Sequence, residues 1–390
     1  MSASVGQSCC AVIFCPMRGE DNSRCPLDGW HALGLMSGTS VDGLDVASVQ
    51  FFQDPQTQAW SFSMNAFSTL PYPKALRDRL WHAMTLGSED LMRLDTAWAH
   101  WTCEEVVAWM KSAGVSSPHV VGSHGHTVFH RPDEGWTCQI GHGAVLHAHL
   151  GVPVVSDLRS LDVAMGGQGA PLVPLADQML FGNWDVALNL GGFANLSMDK
   201  GTGTRVAWDV GPANLLLNRM VQTVGLDMDR DGAMAAEGSV LLHLLEAWQS
   251  LTFHSQAAPK SLGREWLERE VWPHAEQALQ AHALNDVLAT AVAYASWAVA
   301  RDVPSGSRVL VTGGGACNPT LMAAMRQATL DRDVTWHVPD DTLVHGKEAL
   351  VFAWLGLLRW LGQPNALPSV TGARVATSGG ALWGSGPQGN

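Results

Sequence analysis

The chain has 390 residues, of which 46% are apolar and 15% charged, and a formal net charge of -13. That length suits two cores better than one, and that composition excludes a disordered or low-complexity chain. With no basic stripe and no apolar run as long as a bilayer span, nucleic acid, an acidic membrane surface and a transmembrane role are set aside, and a soluble protein is expected.

The seven cysteines are an odd number in a large chain and do not read as a disulfide framework. Cys9, Cys10, Cys15 and Cys25 crowd the N-terminus, but no basic residue precedes the apolar run there and no cleavage site follows it. Residues 1–29 are therefore read as a disordered tail outside the fold.

An apolar run from Ala32 to Met36 meets the polar turn Ser37-Gly-Thr-Ser-Val-Asp-Gly43, and a second apolar run leaves it from Leu44. This spacing predicts a strand–turn–strand hairpin. The hydroxyls and glycines of the turn suit an anion, although an ordinary hairpin with a Ser/Thr/Gly-rich turn reads the same way. Next come a strand over 59–70, a helix over 74–84, and a long helix over 89–113 with Ser88 as its cap and its tryptophans in a core.

Residues 118–132 read as a strand ending in a His-rich loop, 138–142 as a second strand end, 143–150 as a helix and 152–155 as a buried strand. Six histidines lie between His124 and His149, but their irregular spacing favours loop and helix-surface roles over zinc. The stretch Gly166-Gly-Gln-Gly-Ala-Pro-Leu-Val-Pro174 is either a connector between domains or a backbone lying close to a ligand. A short helix over 175–181 follows it.

Residues 185–197 repeat the opening pattern around Gly191-Gly192, which suggests a duplicated architecture. A strand over 205–208 ends at Asp209, ahead of a Gly-Pro turn and a helix over 215–224. Strand ends of this kind gather ligands in α/β folds; the alternative is a helix cap, a role Asn214 can also fill. Helices are expected over 239–251 and 283–300. Residues 308–322 read as strand, triple glycine (Gly313, Gly314, Gly315) and helix, a bare backbone that suits a base or ribose. A strand over 334–338 precedes a buried helix over 347–360, with Glu348 near its start, where a carboxylate also complements the helix dipole. Residues 367–390 read as irregular.

The three glycine turns in this order resemble the actin/hexokinase architecture: α/β, with two ribonuclease-H-like domains and an interdomain cleft. Within that group the chain resembles the anhydro-N-acetylmuramic acid kinase family. The resemblance rests on Gly34-Leu-Met-Ser-Gly-Thr-Ser-Val-Asp-Gly43, Gly122-Ser-His-Gly125, Gln139-Ile-Gly141, the stretch from Gly166 to Pro174, Asn189-Leu-Gly-Gly-Phe-Ala-Asn195, Asp209-Val-Gly-Pro, Pro259-Lys-Ser, Gly313-Gly-Gly, Glu348-Ala-Leu-Val-Phe-Ala-Trp-Leu and Leu367-Pro-Ser-Val-Thr-Gly-Ala373.

The resemblance implies a first domain over 30–178, joined by 365–390, and a second over 179–364 carrying the adenosine turn and Asp209. It implies a cytoplasmic, homodimeric enzyme of peptidoglycan recycling. Such an enzyme uses ATP and water to open the 1,6-anhydro ring of anhydro-N-acetylmuramic acid and phosphorylates O6, giving N-acetylmuramate 6-phosphate and ADP. Asp209 falls on the catalytic base. Ser37, Gly38, Thr39, Ser40, Val41, Asp42, Gly43 and Leu44 fall on the first phosphate turn, Gly191 and Gly192 on the second, and Gly313, Gly314 and Gly315 on the adenosine turn. His124, Arg159, Gln168 and Glu348 are the expected sugar contacts. Magnesium is expected mainly on phosphates and water, with Asp42 or Asp209 as side-chain ligands.

The sequence departs from the family pattern at Leu161, where arginine is usual, and at His126, His142, Ala213 and Leu262. Met36 stands where other actin-like kinases carry an aspartate. These departures keep two alternatives open: a kinase-fold paralogue acting on another anhydro-sugar or sugar acid, and a non-catalytic ATP-binding sensor.

Overall fold

The computed structural model describes residues 28–387, apart from 39 and 202. The tail read over 1–29 therefore lies outside the described residues but for its last two, and so does Thr39 of the first turn. The strands are β1 (Trp30–Ser37), β2 (Gly43–Gln53), β3 (Trp60–Pro71), β4 (Val120–Arg131), β5 (Trp136–Ile140), β6 (Val154–Ser156), β7 (Val186–Leu190), β8 (Phe193–Asp199), β9 (Arg205–Pro212), β10 (Arg308–Thr312), β11 (Thr335–His337) and β12 (Ala381–Trp383). The helices begin with α1 (Lys74–Trp81), α2 (Ser88–Ala113), α3 (Gly143–Leu150), α4 (Ser160–Ala164), α5 (Val173–Met179), α6 (Asn214–Gln222) and α7 (Ala233–Glu237). They continue with α8 (Leu242–Gln249), α9 (Arg264–Trp266), α10 (Trp272–Ala281), α11 (Leu284–Asp302), α12 (Pro319–Ala328), α13 (Asp341–Trp360) and α14 (Pro368–Thr371).

The strands form two mixed sheets of matching order. The first runs β12-β6-β4-β1-β2-β3, with β5 paired to β4, and the second runs β11-β10-β7-β8-β9. In each, a central strand (β1 or β7) pairs antiparallel with the next strand in sequence, which pairs antiparallel with a third. On its other side the central strand pairs parallel with a later strand (β4 or β10), which pairs parallel with a fifth. The two hairpins read from the sequence thus sit at equivalent places. Strands β1 and β7 are buried along nearly their whole length, as parallel neighbours covered on both faces require.

Helix α13 lies across the first sheet because two glycines make room for it. Gly34 and Gly122 are register partners in β1 and β4. A Cβ on Gly34 would collide with the Ala349 carbonyl, and one on Gly122 with that of Phe352. The division at 178/179 placed this helix with the second sheet; its side chains join the core of the first, with Trp354 and Phe352 packed beside Trp30, Trp60 and Val120. Helix α11 fills the corresponding core of the second sheet.

Several elements differ from the sequence reading. β4 continues through the His-rich stretch to Arg131, because β5 pairs with it antiparallel from His126 to Arg131. Helix α13 starts at Asp341, with Asp340 accepting from the Leu343 N–H, so Glu348 lies two turns inside rather than at the start. Ser88 and Asn214 are first helical residues, not caps; Gly87 and Ala213 hold those positions. The helical run from Arg264 to Ala281, with π-helical turns over Leu267–Val271, has no counterpart in the sequence reading. The C-terminal stretch is not irregular throughout: α14 forms, and β12 pairs with β6 at the edge of the first sheet. Among the described residues no helix is long and apolar enough to cross a membrane.

Candidate active site

The first turn joins the ends of β1 and β2 and is closed by the Val41 N–H donating to the Gly38 carbonyl at 3.2 Å. Val41 adopts φ +57° with its side chain buried, a costly conformation for a β-branched residue. The structure divides the predicted phosphate residues. Ser40 and Asp42 are exposed and Gly38 is half-exposed, whereas Ser37, Gly43 and Leu44 are buried. A Cβ on Gly43 would lie 2.6 Å from the Leu70 carbonyl, so this glycine serves the β2–β3 pairing. The Ser37 hydroxyl faces inward. It accepts from Tyr72 OH at 2.7 Å and lies 2.9 Å from Nδ1 of His126, while Trp98 Nε1 donates to Tyr72 OH at 3.1 Å. Burial pushes His126 down to about 4, so its ring is neutral and Nδ1 accepts from Ser37. From this turn, an anion would meet backbone N–H groups and the Ser40 hydroxyl rather than that of Ser37.

On the second sheet the Gly191-Gly192 turn and the triple glycine converge. Gly192 O accepts from Ala213 N and Leu215 N at 2.9 and 3.1 Å, so the turn rests on the start of α6. A Cβ on Gly313, which has φ +83°, would lie 2.5 Å from Asn189 Oδ1, and one on Gly315 would lie 2.8 Å from Leu190 Cβ. Both glycines are therefore required for the β10 turn to close on the end of β7. Asn214 Nδ2 donates to Leu190 O at 3.0 Å and holds that junction. Gly313 N donates to Val344 O at 3.1 Å, which ties the triple glycine to α13. Gly314 stays exposed at the surface of this turn.

Asp209 lies in β9 beside a bulge: Ala194 pairs with Gly211, but Asn195 pairs with Asp209. Bulges re-aim side chains next to active sites. Its Oδ2 accepts from the Leu262 N–H at 2.6 Å, and its own N–H donates to Lys260 O at 3.0 Å. Because the contact comes from the backbone of residue 262, the leucine there leaves it intact. Burial pushes the Asp209 carboxyl up to about 6, against the opposing pull of the Leu262 hydrogen bond. A carboxyl poised there can take a proton from water near neutral pH.

His124 occupies a second bulge, where Leu35 pairs with Ser123 but Ser37 pairs with His126. Arg159 Nε and Nη2 lie 3.1 and 2.8 Å from its Nε2, and Arg159 Nη1 donates to Gly169 O at 2.6 Å. Burial lowers the Arg159 pKa to about 10, with Glu348 and Asp162 raising it in turn. Glu348 is raised by burial and by the nearby Asp45, and lowered by Arg159 and Lys347. The structure thus brings His124 and Arg159 into contact, with Glu348 close enough to act on the Arg159 charge. Gln168 is exposed on the glycine loop, with its N–H donating to Thr371 O at 2.7 Å.

Asp162 organises this loop, a role the sequence reading missed. Its Oδ2 accepts from Gly169 N at 2.7 Å and its Oδ1 from Thr371 Oγ1 at 2.8 Å. Asp45 was missed as well. It stands opposite Met36 in register and accepts from Thr69 Oγ1 at 2.5 Å. A cavity of about 180 Å³ lies beside the His124 bulge, lined among others by Asp95, Ser123, Gln139, His142 and Asp157. Ser123 Oγ and Gln139 Oε1 in its wall are buried without a partner, so a polar ligand or water suits it.

The two carboxylates predicted for magnesium stand on different sheets, Asp42 on the first turn and Asp209 on β9. Among the described residues no three His, Cys, Asp or Glu side chains converge as a metal site.

The family model for anhydro-N-acetylmuramic acid kinase matches residues 31–385. Among curated relatives, the anhydro-N-acetylmuramic acid kinase of Bordetella parapertussis is 39% identical over 377 residues, covering 92% of this chain and 97% of the relative. Those of Synechococcus sp. (strain WH7803) and Haemophilus influenzae are 36% and 34% identical, covering 89% and 90% of this chain and 97% of each relative. Among solved structures, the (R)-2-hydroxyglutaryl-CoA dehydratase component A of Acidaminococcus fermentans is similar at a TM-score of 0.42 and 12% identity, covering 83% of this chain and 96% of that one.

Proposed function

Because the chain belongs to the anhydro-N-acetylmuramic acid kinase family, we propose that it opens the 1,6-anhydro ring of anhydro-N-acetylmuramic acid with water and phosphorylates O6 from ATP. The observation that carries this reading on the chain itself is Asp209, a mostly buried carboxyl pushed up to about 6 beside a strand bulge. In this reading Asp209 takes a proton from the water that attacks C1. The C1–O6 bond breaks, and O6 attacks the γ-phosphorus as the bond to the departing ADP opens. The first turn, through its backbone and Ser40, and Gly191-Gly192 hold the phosphates. Gly313, Gly314 and Gly315 lie along adenosine. His124, Arg159 and Glu348 hold the sugar acid, with Gln168 at its edge and the cavity beside His124 receiving its polar groups.

The two matching sheets support an actin-like pair of domains with the reaction in the cleft between them. Magnesium, where bound, neutralises charge on the phosphate oxygens. Asp42 and Asp209 are the side chains that would help hold it, beside phosphate oxygens and water. The reading includes action in the cytoplasm in peptidoglycan recycling, and a homodimer. Leu161, 37% exposed and uncharged, favours a second reading in which the sugar lacks the acid group or carries a different one.

ATP turnover dependent on anhydro-N-acetylmuramic acid, with the product identified by mass, tests the proposal. Formation of N-acetylmuramate 6-phosphate and ADP supports it. Turnover only with another anhydro-sugar supports the second reading, and nucleotide binding without any turnover overturns both.

A further inference from the structure

The geometry points to Lys260 as a positioning residue for Asp209, holding the 258–262 loop in place through Phe253; this rests on the reading of Asp209 as the base. The loop grips Asp209 twice, with Lys260 O accepting its N–H at 3.0 Å and the Leu262 N–H donating to its Oδ2 at 2.6 Å. Neither contact uses a side chain of the loop, so both depend on where the loop backbone lies.

The Lys260 side chain anchors it. Nζ donates to Phe253 O at 3.1 Å and sits 4.4 Å from the centre of the Phe253 ring. The carbonyl and the ring face together suit a cation, and a cation over an aromatic face is held better when partly desolvated. Phe253 is itself packed in: it is 3% exposed, and its ring lies 5.3 Å from that of Trp266 and 5.6 Å from that of His254. Lys260 therefore ties the loop to this packed aromatic cluster. The contact that orients the carboxylate comes from residue 262, two positions further on. Without the anchor, the Leu262 N–H is free to leave Oδ2 and the carboxylate to turn away from its target.

The test is the variant Lys260→Met, assayed with ATP and anhydro-N-acetylmuramic acid beside the wild-type enzyme. Misplacement of a reacting group is expected to lower kcat by about ten- to a hundredfold, with the Kd for nucleotide nearly unchanged. Lys260→Arg, which keeps the charge over the ring and a donor to the carbonyl, is expected to retain most of the wild-type kcat. In an Asp209→Asn background, Lys260→Met is expected to cost no more than about twofold, because the group it positions is already disabled. A wild-type kcat in Lys260→Met overturns the proposal, and so does a full additional loss in the Asp209→Asn background. Should Lys260→Met fail to fold, Lys260→Gln decides: it stays polar but loses the charge over the ring and the reach to the Phe253 carbonyl, and an unchanged kcat overturns the proposal. Absence of turnover in the wild-type enzyme overturns the underlying reading instead, so the two failures are distinguishable.

Discussion

Arg159 donates through Nε and Nη2 to a single acceptor, Nε2 of His124, at 3.1 and 2.8 Å. This fixes the histidine as the neutral tautomer with its proton on Nδ1, which lies 2.9 Å from the Gly125 carbonyl. Burial, followed by the Arg159 charge, holds the His124 pKa well below its ordinary value, so the ring stays neutral across the working range. The histidine aims the guanidinium, and the Gly169 carbonyl holds its other arm.

Arg159→Lys keeps the charge but loses the planar fork. The loss of charge-assisted hydrogen bonds is expected to raise KM for the sugar by about tenfold or more, with the Kd for nucleotide unchanged. Steady-state kinetics with both substrates check this. An unchanged sugar KM removes Arg159 from the substrate site.

Asp209→Asn is expected to lower kcat by about 10²–10⁴-fold, as for loss of a general base, while nucleotide binding persists. In the wild-type enzyme kcat should rise with pH through an acid limb centred near 6, since the base must be ionised. The same shift affects stability with a defined sign. The folded carboxyl binds its proton more tightly than the unfolded one, so stability falls as pH rises from about 4 to about 6. A displacement of this size corresponds to roughly 3 kcal/mol at neutral pH. Asp209→Asn should flatten that slope in urea titrations run across the window, and a slope equal to the wild type would refute the assignment of the shift to this residue.

Tyr72→Phe removes the hydroxyl that links Trp98 to Ser37 beneath the first turn. It leaves a buried indole N–H without its partner, at a cost of about 1–3 kcal/mol, which thermal unfolding will read as a lower Tm. Because the Ser37 hydroxyl faces this chain, KM for ATP is expected to rise in Tyr72→Phe without a proportional loss in kcat. A variant with wild-type Tm would show that the chain carries no stability.

Lys347 and Asp177 form an ion pair at 2.7 Å, with side chains 6% and 4% exposed, joining α13 to α5. Lys347→Met strands a buried carboxylate and is expected to cost about 3–5 kcal/mol, while the double variant Lys347→Met/Asp177→Leu should recover most of it. Chemical denaturation of the two variants measures the difference. Equal destabilisation of both would mean that the pair is not the source of the loss.

The local pattern of residues determined much of this protein by itself. Both hairpins and the glycine turn at 313–315 follow from apolar runs broken by small polar residues, a signal that is complete within a few positions; the strand read over 205–208 as ending at Asp209 instead runs through it to Pro212, because its pairing with β8 continues past the bulge. The architecture of matched sheets followed from recognising that these units repeat. Tertiary structure decided the rest. Nothing near Ser37 tells that its hydroxyl turns inward to Tyr72 and His126, 35 and 89 residues away. The bond from Leu262 to Asp209 spans 53 residues, and that from Thr371 to Asp162 spans 209. Helix α13 reads as buried from its composition, but its seat on Gly34 and Gly122 exists only once β1 and β4 lie side by side. Periodicity reports which residues face a core. It carries no information about which distant backbone amide meets a carboxylate, because that pairing depends on where two sheets and their loops come to rest.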